Sequence, residues 1–301
     1  MQNNQLWGID LGGTKIECAV LETDTNKVLC RQRIPTEQEG GYLHILDQIN
    51  NLIRIVSKEI NHKPSMIGIG TPGAIDSRTG RLKNCNTVCL NGMPFKSDIQ
   101  ELLNVPVEIS NDANCFALAE TRMGVVKELD FTPEVVFGII MGTGVGGGIV
   151  VHGKPINGRH GIGGEWGHNY LDESGGKCYC GKIGCVETII SGPALERHYE
   201  KLSGKKIPLP EIVKIQSSDI HAKATVIRLH RMFGKALANV INILDPDVIL
   251  LGGGVGNIDS LLTEGAKEII PHLFNPVLDT IILKPKLGDS AGVFGAAMLV
   301  K

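Results

Sequence analysis

Aromatic residues make up only 4% of this 301-residue chain, too few to furnish the stacking platforms that bind single-stranded nucleic acids. Net charge is equally scant. Thirty Lys and Arg against 32 Asp and Glu leave a formal −2, and a pI near 6.5 supplies no basic field for nucleic acid or an anionic membrane surface. No apolar run approaches the ~20 residues that a membrane helix requires. The opening MQNNQLWGIDLGGTK lacks the basic and apolar regions of a secretory leader. Cys18, Cys30, Cys85, Cys89 and Cys115 show no disulfide-framework spacing, so a soluble, reduced, cytoplasmic protein is expected. No G-x-x-x-x-G-K-[S/T] string occurs, which excludes a P-loop.

Glycine, by contrast, is abundant, with 38 residues, and it gathers around chemistry. Between Gly164-Glu165-Trp166-Gly167-His168 and Cys178-Tyr179-Cys180-Gly181-Lys182-Ile183-Gly184-Cys185-Val186-Glu187, one histidine and three cysteines fall within eighteen residues. Three thiolates and an imidazole are the ligand set of a closed, tetrahedral zinc site. An irregular, glycine-rich segment could not bury so many cysteines in a regular core. His168, Cys178, Cys180 and Cys185 are therefore expected to hold Zn²⁺, and Glu165 and Glu187 bracket the knot without serving as ligands.

Hydrophobic periodicity organises the rest. Leu6 to Asp10 and Ile16 to Leu21 read as strands joined by Leu11-Gly12-Gly13-Thr14. Gly40 to Ile60 reads as an amphipathic helix with Leu43, Leu46, Ile49, Ile53, Val56 and Ile60 on its apolar side. Met66 to Gly70 and Val105 to Ile109 read as strands, the latter running into Asn111-Asp112 and a helix to about Met123. The pattern then restarts, with strands at Val135 to Met141 and Gly148 to Val151 around a second glycine turn. A helix follows at Ala222 to Leu244, then a strand at Val248 to Leu251 ending in Gly252-Gly253-Gly254, and a last strand at Ile281 to Leu283. The chain thus reads as two α/β halves with mixed sheets, a weak internal duplication. No Pro/Ser-rich linker separates them, so a cleft between closely packed domains is expected.

Gly142-Thr143-Gly144-Val145-Gly146-Gly147 satisfies the dinucleotide fingerprint G-x-G-x-x-G. An extended segment follows where that mechanism needs a helix, so the fingerprint fails on context. What remains is a glycine hairpin turn carrying a threonine, present twice as Gly12-Gly13-Thr14 and Gly142-Thr143-Gly144. Bare amides and a hydroxyl can cradle phosphate oxygens, and two equivalent turns suggest a phosphate clamp. Asp10 precedes the first turn, a strand-end carboxylate placed to hold Mg²⁺. Asn111-Asp112 before Ala-Asn-Cys-Phe-Ala-Leu-Ala reads first as a helix N-cap.

In order, the chain carries Asp10-Leu-Gly-Gly-Thr-Lys15, Asn111-Asp112-Ala-Asn114, Gly142-Thr-Gly144, Glu165-x-x-His168, Cys178-x-Cys180-Gly-x-x-Gly-Cys185-x-Glu187 and Gly252-Gly-Gly254. This set resembles the ROK family of sugar kinases and sugar-responsive repressors along the whole chain. Lys83-Asn84-Cys85-Asn86, Leu90-Asn91-Gly92-x-Pro94-Phe95, Gly164 to Asn169 and Asn242 to Val248 are most similar to the mannokinase/fructokinase branch. N-acetylglucosamine kinases are nearly as similar in the catalytic and zinc segments. The resemblance implies a two-domain, actin-like (ribonuclease H-like) ATPase fold, with residues 1–118 in the first domain, a final helix at 291–301 packing back on it, and 119–290 in the second. It implies ATP and a hexose bound in the interdomain cleft and a structural zinc, with a homodimer usual in the family.

Carried onto these residues, the resemblance makes Asp112 the base that accepts the proton of a sugar hydroxyl. Glu165, His168 and Glu187 then bind sugar hydroxyls, with Asn86, Asn111 and Asp112 opposite. Gly12, Gly13, Thr14, Lys15, Gly142, Thr143 and Gly144 face phosphate, and Gly253 and Gly254 face the adenosine. The implied activity is ATP-dependent phosphorylation of a hexose at its terminal hydroxyl, fructose or mannose first, N-acetylglucosamine or glucose as alternatives. A repressor of the same family would carry a helix-turn-helix ahead of the first strand, which here begins by Leu6. A non-catalytic sugar sensor is the remaining alternative of another class, disfavoured by the presence of Asp10, Asp112 and both phosphate turns. Arg159 and His160 are left outside the site.

Overall fold

A computed structural model describes residues 4–301; the first three residues of the opening searched for a leader lie outside them. The strands are β1 (Gln5–Leu11), β2 (Lys15–Glu22), β3 (Val28–Pro35), β4 (Ile67–Thr71), β5 (Ala74–Ile75), β6 (Leu82–Lys83), β7 (Val107–Asn111), β8 (Val135–Met141), β9 (Val145–Val151), β10 (Lys154–Pro155), β11 (Val248–Gly252) and β12 (Ile281–Leu283). The helices are α1 (Gly41–Glu59), α2 (Phe95–Leu103), α3 (Asp112–Arg122), α4 (Glu187–Ile190), α5 (Gly192–Ser203), α6 (Leu209–Ile215), α7 (Ile220–Leu244), α8 (Gly253–Gly256) and α9 (Ala291–Met298).

Two five-stranded sheets repeat one plan, β3-β2-β1-β4-β7 and β10-β9-β8-β11-β12. In the first, β1 and β2 form an antiparallel hairpin extended by β3, while β4 and β7 add in parallel beside β1. In the second, β11 is parallel to both β8 and β12, and β10 is antiparallel to β9. The duplication read from sequence is therefore a repeat of topology. The third strand of the first repeat, Val28–Pro35, had no sequence reading of its own. It is an edge strand in which Gln32 takes an inward position between Cys30 and Ile34, while the outward Arg31 and Arg33 both pair with the buried Glu17 of β2. Helices α2, α5 and α6 were likewise unread.

The chain divides into two compact units, one of Met1–Thr132, Gly148–Gly163 and Lys286–Lys301, the other of Pro133–Gly147 and Gly164–Pro285. The division expected at residue 118 thus falls at Thr132, and Gly148–Gly163 returns to the first unit. Hydrogen bonds explain the return. Ile149 N donates to Asn114 Oδ1 (3.2 Å), and Asn157 Oδ1 accepts from Ser110 Oγ (2.7 Å) and Asn114 Nδ2 (3.1 Å).

In the first unit, α1 buries Tyr42, Ile45, Leu46, Ile49, Leu52, Ile53 and Val56, the three-to-four spacing of one helix face. Leu43, read as part of that stripe, is 72% exposed, and Ile60 lies just past the helix end. The buried stripe is centred on residues 45, 49, 52 and 56, which turns position 43 outward. Helix α9 lies backbone-close against its neighbours. A Cβ at Gly68 would sit 1.8 Å from Ala296 O, and one at Gly295 1.7 Å from Cys115 O, so only glycine allows β4 and α3 to approach it this closely.

Candidate active site

The register of the first sheet determines where its chemistry lies. Asp10 is paired across to Gly70, and Thr71 to Asn111, so Asp10, Thr71 and Asn111 end three neighbouring parallel strands on one edge. Ligands bind at such carboxyl ends in α/β sheets. Asn111 is the N-cap of α3, its Oδ1 accepting from Ala113 N at 2.9 Å, and Asp112 is the first helical residue. Capping is thus met by Asn111, while Asp112, whose Oδ1 also accepts from Ala113 N (2.7 Å), stays exposed at the helix start. The positive end of α3 favours a carboxylate there.

Asp10 titrates far from an ordinary carboxyl. Burial, then the charges of Asp112 and Glu17, raise its pKa from 3.8 to about 7, with Lys15 and Arg33 opposing. Acids that repel one another form a site whose charge a divalent cation would neutralise. The turn beside it is braced from below: Gly12 N donates to Lys15 O (3.0 Å), Thr36 Oγ1 to Gly12 O (2.7 Å) and Thr36 N to Thr14 O (3.0 Å). Lys15 Nζ is drawn to Asp289 (3.2 Å), which also pairs with Arg33 (3.2 Å).

The loop bearing Asn86 is held by Asn91, whose Oδ1 accepts from Cys85 N (2.8 Å) and whose Nδ2 donates to Cys85 O (2.9 Å). The Cys85 thiol is pushed up to about 12 by burial and then by the charge of Asp112. Asn86 itself is exposed.

In the second unit, the turn Gly142-Thr143-Gly144 closes on itself through Gly142 N to Gly144 O (2.9 Å), and Gly192 N donates to Gly142 O (2.8 Å). Glu187, at the start of α4, lies over this turn. Its Oε2 accepts from Val145 N at 2.9 Å, and a Cβ on Gly144 would come within 2.7 Å of it. A residue expected only at sugar hydroxyls is thus also a strut for the phosphate turn. The register pairs Ile140 with Gly252, so Gly253-Gly254 follow the strand next to that turn. Gly253 has φ 80°, and a Cβ there would meet Met141 O at 2.2 Å. Gly142 and Gly254 would meet nothing within 4 Å, which leaves bare backbone facing open space.

Glu165 is raised above the ordinary carboxylate range by burial, an effect that His168 opposes and Glu187 reinforces. His168, Cys178, Cys180 and Cys185 place one ligand atom each within 4.8 Å of all the others. Cys180 Sγ and Cys185 Sγ are 3.6 Å apart, as are Cys178 Sγ and His168 Nδ1. Tetrahedral coordination at ~2.3 Å per sulfur would set sulfurs ~3.8 Å apart, so the cluster fits a four-coordinate metal. The cations Lys235, donating to Leu171 O (3.1 Å), and Arg228, donating to Ser174 Oγ (2.9 Å) and Ile189 O (3.3 Å), tie this loop to its own unit.

With Nδ1 turned to the cluster, Nε2 of His168 is the nitrogen left for a sugar, and it lies 2.9 Å from Tyr179 Oη. The two rings stand edge to face, 5.1 Å between centroids.

Of the residues singled out from sequence, Asp10, the first turn, Lys15, Asn86, Asn111 and Asp112 fall in the first unit. The second turn, Glu165, His168, the cysteines, Glu187, Gly253 and Gly254 fall in the second. Arg159 is a loop residue whose carbonyl accepts from Ser77 Oγ (2.7 Å). Sequence reasoning passed over Tyr179, although it sits inside the Cys-x-Cys motif, and over Asn91 as the brace of the Asn86 loop. Among the described residues, no helix is long and apolar enough to cross a membrane.

Comparison with known proteins places this arrangement. A family model described as "ROK family" matches residues 6–301. The N-acetyl-D-glucosamine kinase of Pectobacterium atrosepticum is 35% identical, over 97% of this chain and 98% of the relative. A ROK hexokinase from Thermus thermophilus superposes with a TM-score of 0.85 at 31% identity, covering 98% of this chain and 97% of that one. A ROK family glucokinase from Streptomyces griseus, in complex with glucose and AMPPNP, gives 0.77 at 28% identity, covering 98% of both chains.

Proposed function

The chain belongs to the ROK family and is an ATP-dependent sugar kinase of actin-like ATPase fold; from that premise we propose that it phosphorylates the terminal hydroxyl of a free hexose with Asp112 as the base. The observation that carries this reading is the strand register that brings Asp10 and Asn111-Asp112 to one edge of the first sheet. Phosphoryl transfer requires a positioned hydroxyl, a group to take its proton, and cations that offset charge on the moving phosphoryl. Asp112 takes the proton. Asp10 would hold Mg²⁺, directly or through water, and the two glycine turns and Lys15 would receive phosphate oxygens. Gly253 and Gly254 lie against the adenosine. Glu165, His168, Glu187, Asn86 and Asn111 bind sugar hydroxyls, each of which can donate to a carboxylate and accept from an amide or imidazole. His168, Cys178, Cys180 and Cys185 would hold a zinc ion with all four ligands from the protein, which would make it a structural clamp that orients the His168 ring.

The curated relatives favour N-acetylglucosamine as the substrate over the fructose or mannose expected first. Fructose or mannose is the second reading. It is favoured by the Lys83 to Phe95 segment, in which Asn91 pins the loop that carries Asn86. The proposal is tested by kcat/KM for N-acetylglucosamine, fructose, mannose and glucose with MgATP in one coupled assay. N-acetylglucosamine at least ~10-fold ahead supports the first reading, since a site built to bond a specific group can discriminate by ~10⁴. The reverse order installs the second. No turnover of any hexose by a protein that binds ATP overturns the proposal and leaves a sugar sensor. Homodimerisation, usual in the family, is a further proposal that sedimentation would decide.

A further inference from the structure

Tyr179 stands at the one ring nitrogen that His168 has to offer a sugar. Its hydroxyl lies 2.9 Å from Nε2, its ring stands edge-on to the imidazole, and the side chain is otherwise 80% exposed. Nothing beyond the imidazole anchors it, since Tyr179 Oη makes no other hydrogen bond among those described. A metal on Nδ1 leaves Nε2 as an N–H donor, so its partner must accept. Tyr179 Oη fills the acceptor's place, which is the place a ring hydroxyl of the sugar would take. Two acceptors cannot share that single N–H at full strength.

We propose that Tyr179 is a specificity-determining gate on the sugar site, a phenol that occupies the donor of His168 in the free enzyme and must swing away when a hexose binds. This rests on the reading of His168 as a sugar ligand. The gate makes every hexose compete with an internal hydroxyl. It therefore weakens binding of sugars that place no good acceptor at that position more than of those that do. An exposed side chain on a glycine-flanked loop, between Cys178 and Cys180-Gly181, can swing without disturbing a core.

The test compares wild type with Tyr179→Phe, which keeps the ring and removes the acceptor, and Tyr179→Ala, which removes both. Sugar Kd is read from Trp166 fluorescence or calorimetry without ATP, KM and kcat from the coupled assay, and metal by elemental analysis. The net worth of one hydrogen bond predicts that Kd and KM for the best sugar fall about 3- to 10-fold in both variants. kcat should change less than KM, with metal content equal to that of wild type. A Kd that rises, or that falls by less than about threefold, overturns the gate. A fall seen only in Tyr179→Ala would make the ring, rather than the hydroxyl, the obstacle and overturn it equally. Should wild type bind no hexose at all, the proposed function fails instead, and the two failures are thereby distinguished.

Discussion

Replacing Asp10 by asparagine should stabilise the protein while abolishing its use of MgATP. Asp10 sits at the end of β1, with Gly70 and Gly292 so close that a Cβ on either would come within 3.5 Å and 2.8 Å of its carboxylate oxygens. Asparagine has the same shape and so fits the same space. The carboxyl is raised from 3.8 to about 7 by burial and by Asp112 and Glu17. An acid raised on folding contributes fully below its unfolded pKa, and that contribution is lost as pH climbs through the folded value. At ~1.36 kcal/mol per pH unit, the interval corresponds to ~4 kcal/mol as an upper figure at pH 8. Allowing for relaxation and water access, about 2–4 kcal/mol should be recovered by Asp10→Asn, or roughly 5–12 °C in Tm for units of this size. Thermal melts in Mg²⁺-free buffer at pH 8 and pH 4 provide the assay. The variant should melt higher at pH 8 and close to wild type at pH 4, where wild-type Asp10 is itself largely protonated. An equal or lower Tm at pH 8, or the same gain at both pH values, would refute the reasoning.

Asp112→Asn should keep the fold, because Asn111 supplies the cap of α3, yet lower kcat by ~10²–10⁴, the usual loss for a missing general base. Near-wild-type turnover of the purified variant would remove Asp112 from the mechanism. Elemental analysis should find one zinc per chain, lost on chelation or in Cys180→Ser. That loss should lower Tm by about 5–10 °C and raise sugar KM more than it lowers kcat, since the cluster orients His168 rather than activating water. Protein with no stoichiometric metal, or a Tm indifferent to chelation, would dismiss the clamp.

Strong local patterns were legible in the sequence. Both β-hairpins, the apolar runs Val135 to Met141 and Val248 to Leu251, and the helix ending at Leu244 were located to within a few residues, because periodicity and glycine turns are local properties. The duplicated plan could be seen for the same reason. Elements without a clean period were not legible. The edge strand Val28–Pro35 carries arginines that make sense only once Glu17 is buried beneath them. Helix α6 has only seven residues, too few for a period to declare itself.

The sequence by itself determined the chemistry available to this protein. A Cys₃His set within eighteen residues, acids at strand ends and paired glycine turns are statements about residue types and spacing, and they point to one family. Which of those groups face one another was decided by tertiary structure alone. Strand register, a long-range property, put Asp10 level with Gly70 and Asn111 level with Thr71. Burial among like charges, invisible in a linear string, moved the Asp10 carboxyl to about 7. The fold of the Cys-His loop turned Nδ1 of His168 toward the Cys178 thiol and set the hydroxyl of Tyr179 on Nε2. Spacing can mark a histidine as a candidate ligand, but only the three-dimensional course of the chain decides which nitrogen faces the thiols and what waits at the other.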